Sequence, residues 1–344
     1  MNICVCTVQV PFVKGGAEIM AENLMTALVA HGHKAERINI PFKWYPKEQI
    51  LRDCLVWRLL DITESYFEKI DLVIALKFPA YLVRHPRKIV WMAHQYREVY
   101  DCYGTDLSGF SSNEEDDITR QAIFRWDFEA LTEAQGLFAI SQNVSRRLLR
   151  YNGLESQHLY VPPKLTGQYL NPQFDDFIFC PGRLEVSKRV DLLIKTMAKL
   201  PPPIKCLIAG KGPQEAALKQ LTADLGLQER VKFYGYLPDE VLLKMYSEAY
   251  AVYFAPYDED LGLITLETFH ARKPVVTCHD SGAVLEFVEN DVTGLVTETQ
   301  PESLRDAFIY LFENKTRCQE MGEAGYQKIE FITWDYVIES LIGS

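Results

Sequence analysis

The sequence predicts an α/β protein of two Rossmann-like halves, each a parallel sheet with helices on both faces. Three observations lead there. Short apolar runs alternate with helical patterns along the chain, the alternation restarts after a Pro-rich join at Val161-Pro-Pro-Lys164, and two strands of the second half are each followed by a glycine turn and a helix. In the first half the strand-like runs are Ile3 to Val8, Ala35 to Ile40, Leu72 to Leu76, Ile89 to Met92 and Leu137 to Ile140, with a helix from Ala17. In the second they begin at Phe177, Ile204, Val231, Ala251 and Val275. Runs this short and this apolar fit strands buried on both faces. The polar stretch Thr166 to Asp176 marks the boundary, and 344 residues suffice for two domains with their own cores. One segment, Cys102 to Asp117, has no clear period and reads as a mobile loop or lid.

Composition narrows the class. Hydrophobic content of 48% with ordinary Gly and Pro usage indicates a folded chain rather than a disordered one. The eight cysteines form no Cys-x-x-Cys pair, and Cys4, Cys6, Cys180, Cys206 and Cys278 lie in strand-like runs, where a thiol acts as a small buried hydrophobe. Disulfide and zinc readings lack their spacing, so a reducing cytoplasm is the expectation. Met1-Asn-Ile-Cys-Val-Cys6 carries no basic leader, and no apolar stretch approaches the length of a membrane span. A formal net charge of −11 disfavours nucleic-acid binding through a general basic field. The basic clusters Arg84-His-Pro-Arg-Lys88 and Ser145-Arg-Arg-Leu-Leu-Arg150 would suit an anionic or membrane-bound acceptor, although exposed helix faces look the same and are the favoured reading.

The chemistry concentrates in Glu259-Asp-Leu-Gly-Leu-Ile-Thr-Leu-Glu267, two carboxylates with seven residues between them, just after the apolar run Ala251-Val-Tyr-Phe-Ala255. Gly262 breaks the strand and Leu263 to Arg272 reads as a helix, so Glu259 falls in the loop and Glu267 about one turn in. Free amides near Gly262 and Leu263, at the positive end of the helix dipole, favour a phosphate. Glu267 could accept hydrogen bonds from a ribose and Glu259 from a sugar, and diphosphate, ribose and hexose together spell a nucleotide sugar. Charged residues are usually solvated, and two glutamates alone would leave that reading ahead. A second segment overturns it. Gly182-Arg183-Leu184-Glu-Val-Ser-Lys188-Arg189-Val190-Asp191 also follows an apolar strand, Phe177-Ile-Phe-Cys180, and precedes an amphipathic helix. Arg183 and Lys188 can meet a diphosphate there and neutralise the charge that builds as it leaves. The structural alternative pairs Arg183 with Glu185 or Asp191.

Together these segments resemble the family 4 retaining glycosyltransferases of the GT-B fold, the glycosyl transferases group 1. The same order of motifs continues in Lys14-Gly-Gly-Ala-Glu18, Phe138-Ala-Ile-Ser141, Ala209-Gly-Lys-Gly-Pro213, Gly282-Ala-Val-Leu-Glu286, Thr293-Gly-Leu-Val296 and Thr333-Trp-Asp335. The resemblance implies two Rossmann-like domains facing each other across a cleft. Residues 1–163, with the C-terminal helix 331–344 packing back on them, would bind the acceptor; residues 164–330 would bind the nucleotide sugar. It implies transfer of a hexose from a UDP- or GDP-sugar to a hydroxyl of a saccharide or lipid-linked glycan, with the anomeric configuration retained and no cofactor. Asp258-Glu-Asp260 contains the Asp-x-Asp that binds a metal in the other common glycosyltransferase fold, but it stands too late in the chain for that role, so no metal is expected. Location is expected to be cytoplasmic, with peripheral contact at the inner membrane face through the first domain.

In the first half, Gly15-Gly16 follows the first strand, and its amides can approach a phosphate or the acceptor edge. Gly15-Gly-Ala-Glu18 is no dinucleotide fingerprint, since the third glycine is missing, and Gly210-Lys-Gly212 fails likewise. His94 ends a strand at the carboxyl edge, where parallel sheets bind ligands, and relatives place a histidine at a similar point. Arg97 is a weaker candidate for acceptor or phosphate contact. Two other functions fit the same motifs: a nucleotide-sugar epimerase or hydrolase, which needs no acceptor, and a non-catalytic nucleotide-sugar binding protein.

Overall fold

A computed structural model describes residues 1–12, 15–105, 108–169 and 172–343. Lys14 of the first glycine motif lies outside them, as do Asp106 and Leu107 of the irregular segment and Leu170 and Asn171 of the polar stretch. The chain divides into two compact units, Met1–Val161 with Ile332–Ser344, and Pro162–Phe331.

The first unit contains β1 (Asn2–Gln9), α1 (Gly16–Ala30), β2 (Lys34–Pro41), α2 (Glu48–Leu59), β3 (Glu64–Ser65), β4 (Glu68–Lys69), β5 (Leu72–Ala75), β6 (Lys88–Met92), α3 (Glu114–Thr132), β7 (Gly136–Ala139), α4 (Gln142–Asn152) and β8 (Gln157–His158). Six strands form one parallel sheet in the order β2-β1-β5-β6-β7-β8. β5 and β6 are buried at every position, which is why, Lys88 apart, they read as apolar runs. β3 and β4 form a separate antiparallel pair. The C-terminal helix α12 (Trp334–Gly343) belongs to this unit. Thr333 Oγ1 accepts from the Tyr336 amide at 3.2 Å to start it, and the Trp334 ring meets Trp91 edge-on at 6.2 Å.

The second unit contains β9 (Phe177–Pro181), α5 (Val190–Met197), β10 (Lys205–Ala209), α6 (Glu215–Asp224), β11 (Val231–Gly235), α7 (Asp239–Glu248), β12 (Ala251–Tyr253), α8 (Leu263–His270), β13 (Val275–Cys278), α9 (Val284–Phe287), β14 (Gly294–Thr297), α10 (Pro301–Glu313) and α11 (Lys315–Ile329). Its parallel sheet runs β11-β10-β9-β12-β13-β14, the doubly wound order 3-2-1-4-5-6. In such a sheet the crossovers reverse at β9 and β12, leaving a crevice beyond their carboxyl ends. In the first unit the corresponding point lies between β1 and β5.

Several local expectations change. The acidic run Glu114 to Asp117 is the first turn of α3, not part of a lid: Asn113 caps the helix by accepting from the Asp116 amide at 2.9 Å, and four carboxylates complement the positive end of its dipole. Asp116 is buried and binds Lys47 at 2.7 Å. Each basic cluster loses one member to the interior: Lys88 is 1% exposed, donating to the carbonyls of Tyr81, Val83 and Ala130, and Arg147 is 6% exposed, while Arg84, Arg146 and Arg150 stay at the surface. The helix expected to reach Arg272 ends at His270, since Arg272 turns left-handed (φ 52°) ahead of Lys273-Pro274. All eight cysteines are free and buried, and no described helix is long and apolar enough to cross a membrane.

Candidate active site

The turn after β9 has a glycine floor. Gly182 (φ 128°) donates its amide to Ala209 O at 2.9 Å, and a Cβ on Gly210 would come within 1.8 Å of Gly182 O. A Cβ on Gly212 would stand 2.3 Å from Leu184 O. Ala209-Gly-Lys-Gly-Pro213 therefore lets two backbone turns touch. A single tight turn, Val186–Lys188, then ends at Arg189, left-handed at φ 50°. This conformation is costly for a side-chain-bearing residue. Arg189 is held there from both ends: its carbonyl accepts from Tyr253 Oη at 2.8 Å, and its guanidinium makes a bidentate pair with Asp280 at 2.8 and 2.7 Å. Burial opposes ionisation of Asp280, and Arg189 more than offsets it, holding the carboxyl below the usual range.

The loop after β12 is pinned on two sides. Tyr257 donates its amide to Ser187 O at 2.8 Å, Asp258 to Asp280 O at 2.9 Å, and Ala283 donates to Glu259 O at 3.0 Å. Gly282 lies so near that a Cβ there would meet the Glu259 nitrogen at 2.6 Å. This stitching brings the two predicted segments together. Lys188 forms an ion pair with Glu259, and its ammonium lies 5.6 Å from the centre of the Phe254 ring. Arg183 pairs with Glu185 at 2.7 Å, as the structural alternative had it, while its side chain remains 47% exposed.

Gly262 (φ 79°) opens α8, where a Cβ would press on Phe254 and Val284 at 3.0 Å. Leu263 is the first helical residue, and Glu267 projects from the next turn, half-buried. Glu267 accepts from Tyr246 Oη at 2.6 Å, with the Tyr169 ring 6.1 Å from that of Tyr246. Burial pushes the Glu267 carboxyl up to about 7; the Tyr246 hydrogen bond works against the rise and Asp239 adds to it.

In the first unit the glycine turn is less open than its sequence suggests. The Gly15 amide, expected to face a ligand, donates instead to Glu18 Oε2 at 2.9 Å. Glu18 also binds Lys77 at 2.7 Å, and these partners outweigh its burial and keep its carboxyl below the usual range. Gly16 is exposed at the start of α1, with nothing within 4 Å of an added Cβ. His94 lies beyond β6, half-buried, with Nδ1 2.7 Å from Gln95 O, a contact that needs the proton on Nδ1. Arg97, read as a contact for acceptor or phosphate, is turned onto Asp101 at 2.6 Å. The Arg189–Asp280 clamp, Tyr246 and Lys77 were not singled out by the sequence. Arg189 stands beside Lys188, but nothing in spacing links it to a residue 91 positions away.

Residues 164–328, almost the whole second unit, match the family Glycosyl transferases group 1. The chain is a glycosyltransferase, and its second unit is similar to group 1. It is 24% identical over 334 residues to an uncharacterized glycosyltransferase of Methanocaldococcus jannaschii, covering 86% of this chain and 84% of that one. A D-inositol 3-phosphate glycosyltransferase of Corynebacterium diphtheriae is 29% identical over 169 residues, 46% of this chain and 40% of its own length. The glycosyltransferase has the GT-B fold. It superposes on Anabaena HepE in complex with UDP and glucose with a TM-score of 0.74, at 17% identity and full coverage of both chains. Sucrose-phosphate synthase of Thermosynechococcus elongatus gives 0.79 at 16% identity, over 99% of this chain and 97% of that one.

Proposed function

We propose that this glycosyltransferase is a family 4 enzyme that moves a hexose from a UDP- or GDP-sugar to a hydroxyl of a saccharide or lipid-linked glycan, retaining the anomeric configuration and needing no metal. The observation that carries the reading is the meeting of Lys188 and Glu259 beyond β9 and β12, at the switch point of a doubly wound sheet. Lys188 and Arg183 each hold a carboxylate that a diphosphate could replace. Once exchanged, the two cations offset the charge developing on the leaving phosphate. Gly262 and Leu263 offer amides at the start of α8 to the same phosphates. Glu267 holds the ribose, and Glu259, released from Lys188, accepts from the hexose. The leaving phosphate oxygen takes the acceptor proton, so no side-chain nucleophile is assigned. His94 serves the sugar or acceptor, with Gly16 beside the switch point of the first unit. That the Anabaena protein was solved with UDP and with UDP-glucose supports a nucleotide-sugar donor. We place the enzyme in the cytoplasm, at the inner membrane face when its acceptor is lipid-linked.

The test is a panel of UDP- and GDP-sugars with saccharide and lipid-linked acceptors, the product anomer assigned by NMR, with and without EDTA. Product with the donor's configuration in EDTA is expected. Release of hexose or an epimer without acceptor favours a hydrolase or epimerase, binding without turnover favours a binding protein, and loss in EDTA restored by Mg²⁺ favours a metal at Asp258-x-Asp260.

A further inference from the structure

The amino-terminal edge of the first unit's sheet carries a feature the transfer reaction does not use. β3 and β4 pair Glu64 with Lys69 and Ser65 with Glu68, leaving Tyr66 and Phe67 as a two-residue hairpin tip. Both tip residues have positive φ, 49° and 65°. Such turns are built from Asn and Gly because a side chain there costs backbone energy. Here the positions hold two aromatic rings, 92% and 96% exposed and 5.9 Å apart. Strain and apolar exposure at one point are together a mark of contact with something else.

The same edge holds the complement. A groove of 610 Å³ lies between Leu59, Arg84, Pro86 and Glu133, and a second of 350 Å³ between Met1, Ile70, Pro86 and Arg87; Thr63 and His85 form the ridge they share. Both offer apolar walls; the rim of the first mixes Arg58 and Arg84 with Asp61 and Glu133, Arg58 being paired with Glu133, and that of the second sets Lys69 and Arg87 against Asp71. Behind the tip stand Glu64 and Glu68, of which Glu68 is already paired with Lys34 at 3.1 Å, and Leu59 of α2, which lines the first groove, is 74% exposed. Knob and hole, acid and base, thus lie on one face, and a face that complements itself suits a two-fold pairing.

We infer that this face joins two copies of the chain, the Tyr66-Phe67 tip of each seated in the partner copy's groove with Glu64 toward Arg84. The edge is the one from which β1, β5 and β6 start, whereas Gly16 and His94 lie beyond the ends of the first unit's strands. The pairing therefore leaves the carboxyl edge of that sheet open.

Sedimentation equilibrium of the purified chain tests this, with Tyr66→Asn/Phe67→Gly as the first variant, since Asn-Gly suits the turn and keeps the hairpin. A wild-type dimer is expected, with the variant's dissociation constant raised about a hundredfold, the scale of losing a buried aromatic anchor. Glu64→Arg and Arg84→Glu should each weaken the dimer, and the double swap should restore it. A wild type that stays monomeric to its solubility limit, a variant that dimerises as tightly as wild type, or a monomer that binds vesicles of phosphatidylcholine and phosphatidylglycerol through Tyr66-Phe67 would each overturn the inference.

Discussion

The two switch points of this molecule are built in opposite ways. Beyond β9 and β12 the backbone does the work: glycine turns touch at Gly182 and Gly210, Gly282 abuts Glu259, Arg189 is held left-handed by Asp280 and Tyr253, and the loops are stitched by amide hydrogen bonds. Beyond β1 and β5 a side-chain pair does it: Glu18 ties the Gly15 amide to Lys77, and Gly16 has open space around it. A site whose geometry rests on backbone contacts tolerates few side chains and leaves a repeating glycine signature. One closed by an ion pair can change its residues and keep its shape.

The contrast is broken most directly at the glycines. Gly210→Ala should destabilise the second unit by about 3 kcal/mol, the overpacking scale, read as a loss of thermal midpoint; a wild-type midpoint would mean the turns are not in contact. Next come the cations. Lys188→Ala and Arg183→Ala should each lower turnover about a hundredfold with the fold intact, and full activity in either would remove the phosphate assignment. His94→Ala should cut transfer about tenfold and leave nucleoside diphosphate affinity unchanged by calorimetry; a matching loss of affinity would move His94 to the donor side.

The fourth effect is a pH dependence. With its carboxyl at about 7, Glu267 is protonated below neutrality and can then accept less well from two ribose hydroxyls. Nucleotide affinity should rise with pH, by up to about tenfold per unit below neutrality, and level off above about pH 7. Stability runs the other way: because the folded carboxyl sits above its ordinary value of 4.5, its favourable contribution is full below 4.5 and lost as pH rises through about 7. Glu267→Gln should flatten the affinity curve, and an unchanged curve would assign the dependence to another group. Smallest is Gly16→Ala, which meets no neighbour and should shift stability by less than about 0.5 kcal/mol. If it nonetheless weakens transfer, a ligand must approach that backbone.

Much of this was legible in the chain. Runs such as Leu72 to Leu76 and Phe177 to Cys180 announce strands because burial on both faces leaves no room for polar alternation. The segments around Arg183, Lys188, Glu259 and Glu267 are legible because each sits at a strand-to-helix junction and carries its ligand groups within a few residues. Glu114 to Asp117 misled because a helix first turn rich in carboxylates looks, by composition, like a solvated loop; Asn113, a capping residue just ahead of it, was the available signal.

What the sequence by itself determined is therefore the local part: two α/β halves with parallel sheets, the glycine turns, and the cations and carboxylates of the second half. What only the tertiary structure decided is which groups hold one another. Lys188 on Glu259, Arg189 on Asp280, Tyr246 on Glu267, the Gly15 amide on Glu18 and Arg97 on Asp101 decide which groups a ligand must displace and which carboxyl titrates near neutrality. The physical reason is range. Periodicity and turn chemistry act over a few residues, whereas most of these pairings close over tens of positions and depend on strand order, and strand order brings β9 beside β12 without any mark in either strand.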